Sequence, residues 1–326
     1  MKLFTKESIG VEIDDLEIRV VGIKQSWGRV SLAFTHRAPL TENLIIDGVI
    51  HDPEGVANVI ENLWDKHKLS NMGIIIGVSN QAVMARKILL PDIPEDKLKL
   101  LIHNHAQEYM PISLENSVMD YMIVGKEQVQ DVANVQVLLV VAQLKMVEDF
   151  FESFNRASLK PKDIKPSSLS TPDALKIVDK DVVMALVDIS NSIGNLTIFV
   201  DGQPRFSRLL RVNFNKSTGL DPSKNSSIME LPPIILSTWS QILDNEIRAS
   251  IRYFQEQEDI NSIDSIKLSG CGSRVKGLAK ELENSLDIPV DLVDPLGRIQ
   301  NSKRQANDES VIDFTTCIGL ALAGLE

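Results

Sequence analysis

The sequence is poor in cysteine and in aromatic residues, and it contains no long uninterrupted apolar run. Its 2 cysteines, Cys271 and Cys317, form no Cys-x-x-Cys pair, so the spacing of a zinc-thiolate site or of a disulfide framework is missing. Both are predicted to be buried thiols in a reducing compartment. No stretch reaches the ~20 apolar residues of a membrane span, and the start lacks the apolar core of a secretory signal. These absences predict a cytoplasmic protein.

The chain is also short of positive charge. It has 34 Lys and Arg against 45 Asp and Glu, which gives a formal net charge of -11. A protein with this charge repels phosphodiester backbones and anionic lipid, so nucleic acid is not an expected partner. With 326 residues, 43% of them hydrophobic, the chain is long enough to bury the cores of two lobes.

Motifs of the common catalytic and metal-binding sites are missing as well. The sequence has no Walker A loop, no Gly-x-Ser-x-Gly elbow and no His-Glu-x-x-His. His103 and His105 are two positions apart on a predicted helix, so they point to different faces and make a poor metal pair. The sequence therefore predicts no catalytic residue and no metal ligand.

The hydrophobic pattern alternates strands and helices, which is typical of an α/β protein. A hairpin between Ile18 and Phe34, a helix opened by Asp52-Pro53-Glu54 and an interior strand from Gly73 to Val78 indicate a first lobe. A second interior strand, Val182 to Ile189, opens a second lobe, in which the polar stretch Asn213 to Ser227 predicts an exposed loop. The predicted units are residues 1–90 (first lobe), 91–160 (small α+β insert), 161–180 (return to the first lobe), 181–310 (second lobe, with an exposed loop at 213–230) and 311–326 (C-terminal helix).

Polar or glycine-rich turns follow three of the predicted strands. Asp14 lies in an acidic turn after the first strand, and Asp188 with Ser190 ends an apolar strand in the second lobe. Asp188 could hold a Mg-bound water, Ser190 could donate to a phosphate, and the Gly270 to Gly272 turn before a helix suits an anion. Each turn also has a structural interpretation: an acidic β-turn, an ordinary strand-end aspartate, and tight packing of a strand on a helix.

A series of short segments runs in order through most of the chain. They are Ile45 to Glu54, Glu108 to Glu115 followed by Asp120-Tyr121, Val137 to Ala142, Ala185 to Ile189, Glu246 to Arg248 and Leu268 to Arg274. In this order they resemble the PilM proteins of type IV pilus assembly, a family of the actin-like superfamily related to FtsA. Glu108 to Glu115 is the most specific of these segments.

The resemblance implies a bilobal actin-like (ribonuclease H-like) α/β fold, with a small α+β insert on the first lobe and a reduced second lobe. It also implies a cytoplasmic scaffold that grips the short tail of a PilN-like inner-membrane protein between the insert and the first lobe. Such a scaffold contacts other cytoplasmic pilus components and stays peripheral to the inner membrane without inserting into it. Tyr109, Pro111, Leu114 and Tyr121 are the residues expected at the tail groove, and packing within the insert is the alternative for Tyr109 and for Tyr121.

The sequence departs from the family at both phosphate turns. Where the family has Asp-x-Gly, this chain has Glu12-Ile13-Asp14 and Asp188-Ile189-Ser190, and most of a helical subdomain beside the adenosine is missing. These departures predict a degenerate nucleotide site. The alternatives are an active actin-like ATPase or Mg-ATP switch, with Asp188, Ser190, Gly270 and Gly272 as binding residues, and a GspL-like component of a secretion platform.

Overall fold

The computed structural model describes residues 5–71, 73–109, 114–129, 132–175, 182–222, 228–258, 260–297, 299 and 309–325. Pro111 of the expected tail groove lies outside the described residues, and so do residues 223–227 of the predicted exposed loop. In the described parts, two five-stranded sheets, a three-stranded sheet and a short two-stranded ribbon are joined by eight α-helices. No helix in these parts is long and apolar enough to cross a bilayer.

The strands and helices follow one another along the chain in an α/β order. The strands are β1 Thr5–Ile13, β2 Glu17–Ser26, β3 Arg29–Pro39, β4 Ile45–Ile46, β5 Val49–Ile50, β6 Ile74–Val78, β7 Val83–Pro91, β8 Ser117–Val129, β9 Val132–Gln143, β10 Asp163–Pro166, β11 Val183–Ile189, β12 Gly194–Val200, β13 Gln203–Leu210, β14 Ser265–Ser269 and β15 Val290–Leu292. The helices are α1 Pro53–His67, α2 Glu95–Tyr109, α3 Leu144–Arg156, α4 Ser167–Ala174, α5 Phe214–Thr218, α6 Pro233–Glu258, α7 Leu278–Leu286 and α8 Thr315–Ala323.

The first lobe is built on a sheet with the order β10-β6-β1-β2-β3. The strands β1, β2 and β3 form an antiparallel meander, and β6 and β10 add parallel strands beside β1. Helix α1 begins where the sequence predicts, because the Asp52 side chain accepts a hydrogen bond from the Gly55 N–H and Pro53 stands at the first helical position. Its buried face packs with α3, where Phe154 meets Trp64 edge-on.

The second lobe repeats the topology of the first. Its sheet has the order β13-β12-β11-β14-β15, with an antiparallel meander followed by two parallel strands. Helices α6 and α7 cover one face, and their buried side chains share a core with β11, β12 and β14. The chain therefore contains the same five-stranded unit twice.

The insert differs from its predicted boundaries of 91–160 at both ends. Strand β7 pairs along its whole length with β9 in the three-stranded sheet β7-β9-β8, so this sheet starts at Val83. The predicted insert includes helix α3, but Phe150 and Phe154 are buried in the core of the first lobe. The reason is that the apolar face of α3 packs against α1 and not, in the described parts of the chain, against α2. The insert proper is the sheet with α2 packed on it.

The segment 213–230, predicted as an exposed loop, contains a short helix and several buried residues in the part that the structure describes. Asn213 caps the short helix α5 by accepting a hydrogen bond from the Lys216 N–H at 2.9 Å. Phe214 is fully buried and meets Trp239 at a ring-centroid distance of 5.5 Å, and Met229 is also buried. The segment is polar overall, but the side chain of Phe214 anchors it in the core of the second lobe.

The C-terminal helix α8 returns to the first lobe. It packs on β1, β2 and α4, and its side chains from Thr315 to Ala321 are buried. Gly319 permits this packing, because a Cβ atom there would lie 1.9 Å from the Ser170 carbonyl oxygen. Cys317 on the same helix is buried, as predicted, and so is Cys271.

Candidate functional site

The two predicted phosphate turns meet between the lobes. The acidic turn after β1 and the polar turn after β11 approach each other closely enough for direct hydrogen bonds. The Asn191 side-chain amide donates to Asp14 Oδ2 at 2.8 Å, and the Arg19 guanidinium donates to Ser190 Oγ at 3.4 Å. The residues singled out in the two halves of the sequence thus form one buried polar site.

Arg19 occupies the centre of this site, and sequence analysis missed it. Its side chain is only 1% exposed. The guanidinium lies 2.9 Å from Glu12 Oε2, 3.1 Å from Asp14 Oδ2 and 3.2 Å from Glu17 Oε1. A charged residue inside the apolar β-branched run from Ile18 to Ile23 was the available signal, because a buried arginine needs carboxylate partners. A fixed cation therefore stands among the carboxylates.

Burial raises the pKa of three carboxylates at this site, those of Glu12, Glu17 and Asp188. Burial raises the pKa of Glu12 to about 7, against the opposing effect of the Arg19 charge. Burial likewise raises the pKa of Glu17 to about 6, and Arg19 again opposes the shift. Burial raises the pKa of Asp188 as well. The hydrogen bond from Ser269 and the charge of Arg19 both act to lower it. Loss of water from around a carboxylate disfavours its charged form.

Asp188 is engaged within the protein. Its Oδ1 accepts a short hydrogen bond from the Ser269 hydroxyl, and its Oδ2 accepts one from Ser190 Oγ at 3.2 Å. Both oxygens that could hold a Mg-bound water therefore already have protein donors. Among the described residues, no group of three or more His, Cys, Asp or Glu is arranged to hold a metal ion.

Gly270 and Gly272 pack against the end of β11. Gly270 has φ +78°, and a Cβ atom there would lie 2.5 Å from the Ile189 carbonyl oxygen. A Cβ atom on Gly272 would lie 2.3 Å from Ile189 Cγ2. The close approach of this turn to β11 accounts for both glycines without a ligand, which agrees with the structural interpretation given above.

A second ion-pair chain extends the site towards α8. Asp313 accepts two hydrogen bonds from Arg274, at 2.7 and 2.9 Å, and one from Arg37 at 2.8 Å. Arg37 lies 3.5 Å from Glu17 Oε2, and Glu17 contacts Arg19. Arg37 belongs to β3 of the first lobe and Arg274 follows β14 of the second, so the ions connect the two lobes.

A separate groove of about 780 Å³ lies where the insert meets both lobes. The insert contributes residues 118–122 of β8, the first lobe contributes β10 and α4, and the second lobe contributes the β12–β13 hairpin. Tyr121 is the one expected tail-groove residue that can be placed here, and it also packs against the α2 side of the insert. The side chains of Tyr109 and Leu114 are not described. Sequence analysis did not anticipate the wall from the second lobe, which includes Phe199 and Pro204.

The groove combines apolar and acidic side chains. Val118 and Met122 on one face of β8 are 37% and 42% exposed. Asp120, Asp163 and Asp173 also line the groove, with Lys165 as the basic residue among the lining side chains. β8 is an edge strand of its sheet, and edge strands can accept a further extended chain.

Comparisons with known proteins match nearly the whole chain and support the two-lobed architecture. A family model described as type IV pilus assembly protein PilM matches residues 10–214 and 229–325. The solved structure of a PilM-PilN type IV pilus biogenesis complex is 23% identical, with 98% of each chain covered and a TM-score of 0.81. The ethanolamine utilization protein EutJ from Carboxydothermus hydrogenoformans is 11% identical, with 97% of this chain and 89% of that one covered and a TM-score of 0.56. The predicted bilobal actin-like α/β fold is confirmed, and the chain belongs to the type IV pilus assembly protein PilM family.

Proposed function

We propose that this protein is a cytoplasmic scaffold of a type IV pilus assembly platform, and that it docks the cytosolic tail of a PilN-like inner-membrane protein. The observation that supports this most is the groove between β8, β10 with α4, and the β12–β13 hairpin. Family membership supports the pilus role, and the similar PilM-PilN complex gives the class of partner. Binding to the tail would hold the scaffold at the cytoplasmic face of the inner membrane.

The shape of the groove suits an extended peptide. An edge strand offers unpaired backbone groups at regular spacing, and a peptide that adds to it gains main-chain hydrogen bonds. Val118, Asp120 and Met122 alternate along β8, so they lie on one face and would contact alternate side chains of the tail. The apolar residues favour apolar anchors in the tail, and the lining aspartates favour at least one cation.

A binding assay with groove variants tests this proposal. A synthetic peptide with the N-terminal tail sequence of the PilN-like partner would be titrated with the full chain and followed by fluorescence anisotropy. Met122→Glu should weaken binding by ~10-fold or more, because it places a buried charge against the tail. Leu100→Glu on the outer face of α2 is the control, since Leu100 is 61% exposed and does not line the groove. Equal affinity of Met122→Glu and the unaltered chain would reject the groove as the docking site.

We also propose that the inter-lobe nucleotide site is degenerate, and that the scaffold acts without ATP. The residues present do not fit a polyphosphate. Glu12, Asp14 and Glu17 surround the position where the Arg19 cation stands, and they would repel phosphate oxygens. The Asp188 oxygens accept protein donors, and Gly270 and Gly272 pack on Ile189.

Calorimetric titration with Mg-ATP tests the degenerate site. No heat of binding is expected at millimolar nucleotide. Binding at micromolar strength would contradict the proposal and would favour the ATP-dependent switch. Arg19→Met is the informative companion variant. Because Glu12, Asp14 and Glu17 remain in it and repel phosphate, this variant should also show no heat of binding. Binding by the unaltered chain that is lost in Arg19→Met would instead show that the arginine holds a phosphate.

A further inference from the structure

One end of the first lobe is basic, although the whole chain carries a formal net charge of -11. The end is formed by the start of β1, the β2–β3 turn and the segment before β10. Thr5 of β1 pairs with Ser26 of β2, and Ser26 pairs with Arg29 of β3. We define this basic end by Lys6, Lys24, Arg29, Lys160 and Lys162, which are all exposed; the same segments hold the carboxylates Glu7 and Asp163.

The parts of the basic end are joined through the end of α8. Lys6 Nζ donates to the Leu325 carbonyl at 2.7 Å, and Lys162 Nζ donates to the Gly324 carbonyl at 3.3 Å. The backbone N–H of Lys162 donates to Ile74 of the neighbouring strand β6. These contacts place the start of β1 and the segment before β10 side by side.

Trp27 stands at the tip of this end. It is 74% exposed, whereas Trp64 and Trp239 are 5% and 0% exposed. Trp27 and Gly28 form the two-residue β2–β3 turn with φ 53° and 74°. Asn, Asp or Gly is the usual first residue of such a turn, and a bulky side chain at positive φ is strained. The tryptophan therefore stabilises neither the turn nor the core of the lobe, and strain of this kind points to a role outside the fold.

The basic end adjoins the groove. Ala323 and Asp163 line the groove, and their chain neighbours Gly324 and Lys162 belong to the basic end or contact it. A membrane protein's tail that enters the groove would bring the bilayer close to one side of the scaffold. Because the groove and the basic end are continuous, the basic end is the side of the scaffold that would face the bilayer.

We propose that the basic end is a peripheral membrane-contact surface, with the cations on anionic lipid headgroups and Trp27 at the interface. Tryptophan is favoured at the level of lipid headgroups, and lysine and arginine are attracted to an anionic bilayer surface. The net charge of the whole chain does not prevent this contact, because charges more than about 10 Å away are largely screened at ~0.1 M salt. The orientation argument uses the proposed tail docking, but the contact itself does not require the tail.

Vesicle binding by the full chain, without any tail peptide, tests the proposal. The protein should sediment with vesicles that contain phosphatidylglycerol, and not with pure phosphatidylcholine vesicles. Lys24→Glu with Arg29→Glu should lower the partitioning about 10-fold or more. Lys24 forms an exposed ion pair with Glu7, whose loss should hardly affect folding. Lys99→Glu, at an exposed position of α2, is the charge control and should leave partitioning unchanged.

Tryptophan fluorescence gives an independent readout. Brominated lipids should quench part of the emission, and Trp27→Phe should remove that quenching because the other two tryptophans are buried. Ile234→Ala is the control for loss of an exposed apolar side chain, since Ile234 is also 74% exposed.

Equal binding to neutral and anionic vesicles, or equal effects of Lys99→Glu and the double reversal, would overturn the proposal. The proposal would also be overturned if Trp27→Phe left vesicle binding unchanged but abolished binding of this surface to an acidic protein. Met122→Glu separates the two proposals: it should lose tail binding and keep vesicle binding, whereas the double reversal should keep tail binding in solution.

Discussion

At the scale of single residues, the buried cluster around Arg19 is the most unusual feature. Glu12, Asp14 and Glu17 share one guanidinium, and burial raises the pKa of Glu12 and of Glu17. When an ion pair is buried, the loss of hydration of both charges offsets much of their mutual attraction. Such a cluster therefore adds less to the free energy of unfolding than its short distances suggest. Its main effect is a dependence of stability on pH.

Glu12 should make the protein more stable at mildly acidic pH. Its pKa of about 7 in the folded chain lies above the ordinary value of 4.5, so the folded state binds the proton more tightly. The stabilisation is complete below pH ~4.5 and is lost as the pH rises through about 7. In Glu12→Gln this part of the pH dependence should disappear, and the difference in Tm between the two proteins should change by ~2–4 °C across that window.

Thermal unfolding of both proteins at a series of pH values measures this difference. Glu61→Gln, at an exposed position on α1, is the control and should give a profile parallel to that of the unaltered chain. A Glu12→Gln profile that is also parallel would show that Glu12 does not titrate with folding. Arg19, Asp14 and Asp188 are the charged groups acting on Glu12, so the same experiment reports on their shared environment.

At the scale of elements, the turn between β14 and α7 sets how closely the second sheet approaches the inter-lobe cluster. The turn runs over residues 270–274 and starts at Gly270, which packs on the last residue of β11. Its position brings Ser269 to Asp188 and Arg274 to Asp313. A change in the turn should therefore affect both ends of the ionic network.

Gly270→Ala should destabilise the protein more than Gly219→Ala, because both its backbone strain and its steric clash are larger. Both glycines have positive φ, +78° and +72°, but a Cβ atom on Gly219 meets nothing within 4 Å. Gly219→Ala should cost ~1–2 kcal/mol from backbone strain alone. Gly270 has φ 78° and ψ 172°, a conformation that is essentially restricted to glycine, and a Cβ atom there would also clash with the Ile189 carbonyl oxygen. Gly270→Ala should therefore cost ~3 kcal/mol or more. Urea unfolding measures both, and equal losses would mean that the turn moves away from β11 without cost.

At the scale of the whole molecule, ionic contacts hold the lobes and the insert together. Asp313 joins Arg37 of the first lobe to Arg274 of the second. Lys87 of the insert forms an ion pair with Glu258 at the end of α6 in the second lobe. The groove lies at the junction of the same three units, so the relative position of the lobes determines its shape.

Asp313→Asn should loosen the contact between the lobes. Removal of one buried partner leaves the Arg274 charge without its carboxylate, which costs ~3–5 kcal/mol. Asp291→Asn, which breaks an exposed pair with Lys267, is the control and should cost less than ~1 kcal/mol. Equilibrium unfolding gives the energies, and hydrogen exchange at the lobe interface shows where the loosening occurs. If amide hydrogen exchange around Arg37 and Arg274 were unchanged, Asp313 would not be holding the two lobes together.

The sequence by itself determined the class of fold and most elements, because the signals for these are local. Proline and aspartate before α1, the Asp201-Gly202 turn and the apolar runs of β6 and β11 act within a few residues of themselves. The ordered phrases of the family added the bilobal arrangement. The sequence singles out Asp188, Ser190, Gly270 and Gly272 for the same reason, because each lies at or just after the end of a recognisable strand.

Only the tertiary structure decided which distant residues meet. Arg19 faces Glu12 across the β1–β2 hairpin, but its burial and its contact with Ser190 arise only when the second lobe packs against the first. The same applies to Phe214, which anchors a polar segment, and to α3, whose apolar face fits the first lobe better than the insert. Burial and charge pairing are set by contacts between residues far apart in the chain, so they appear only when the whole chain has folded.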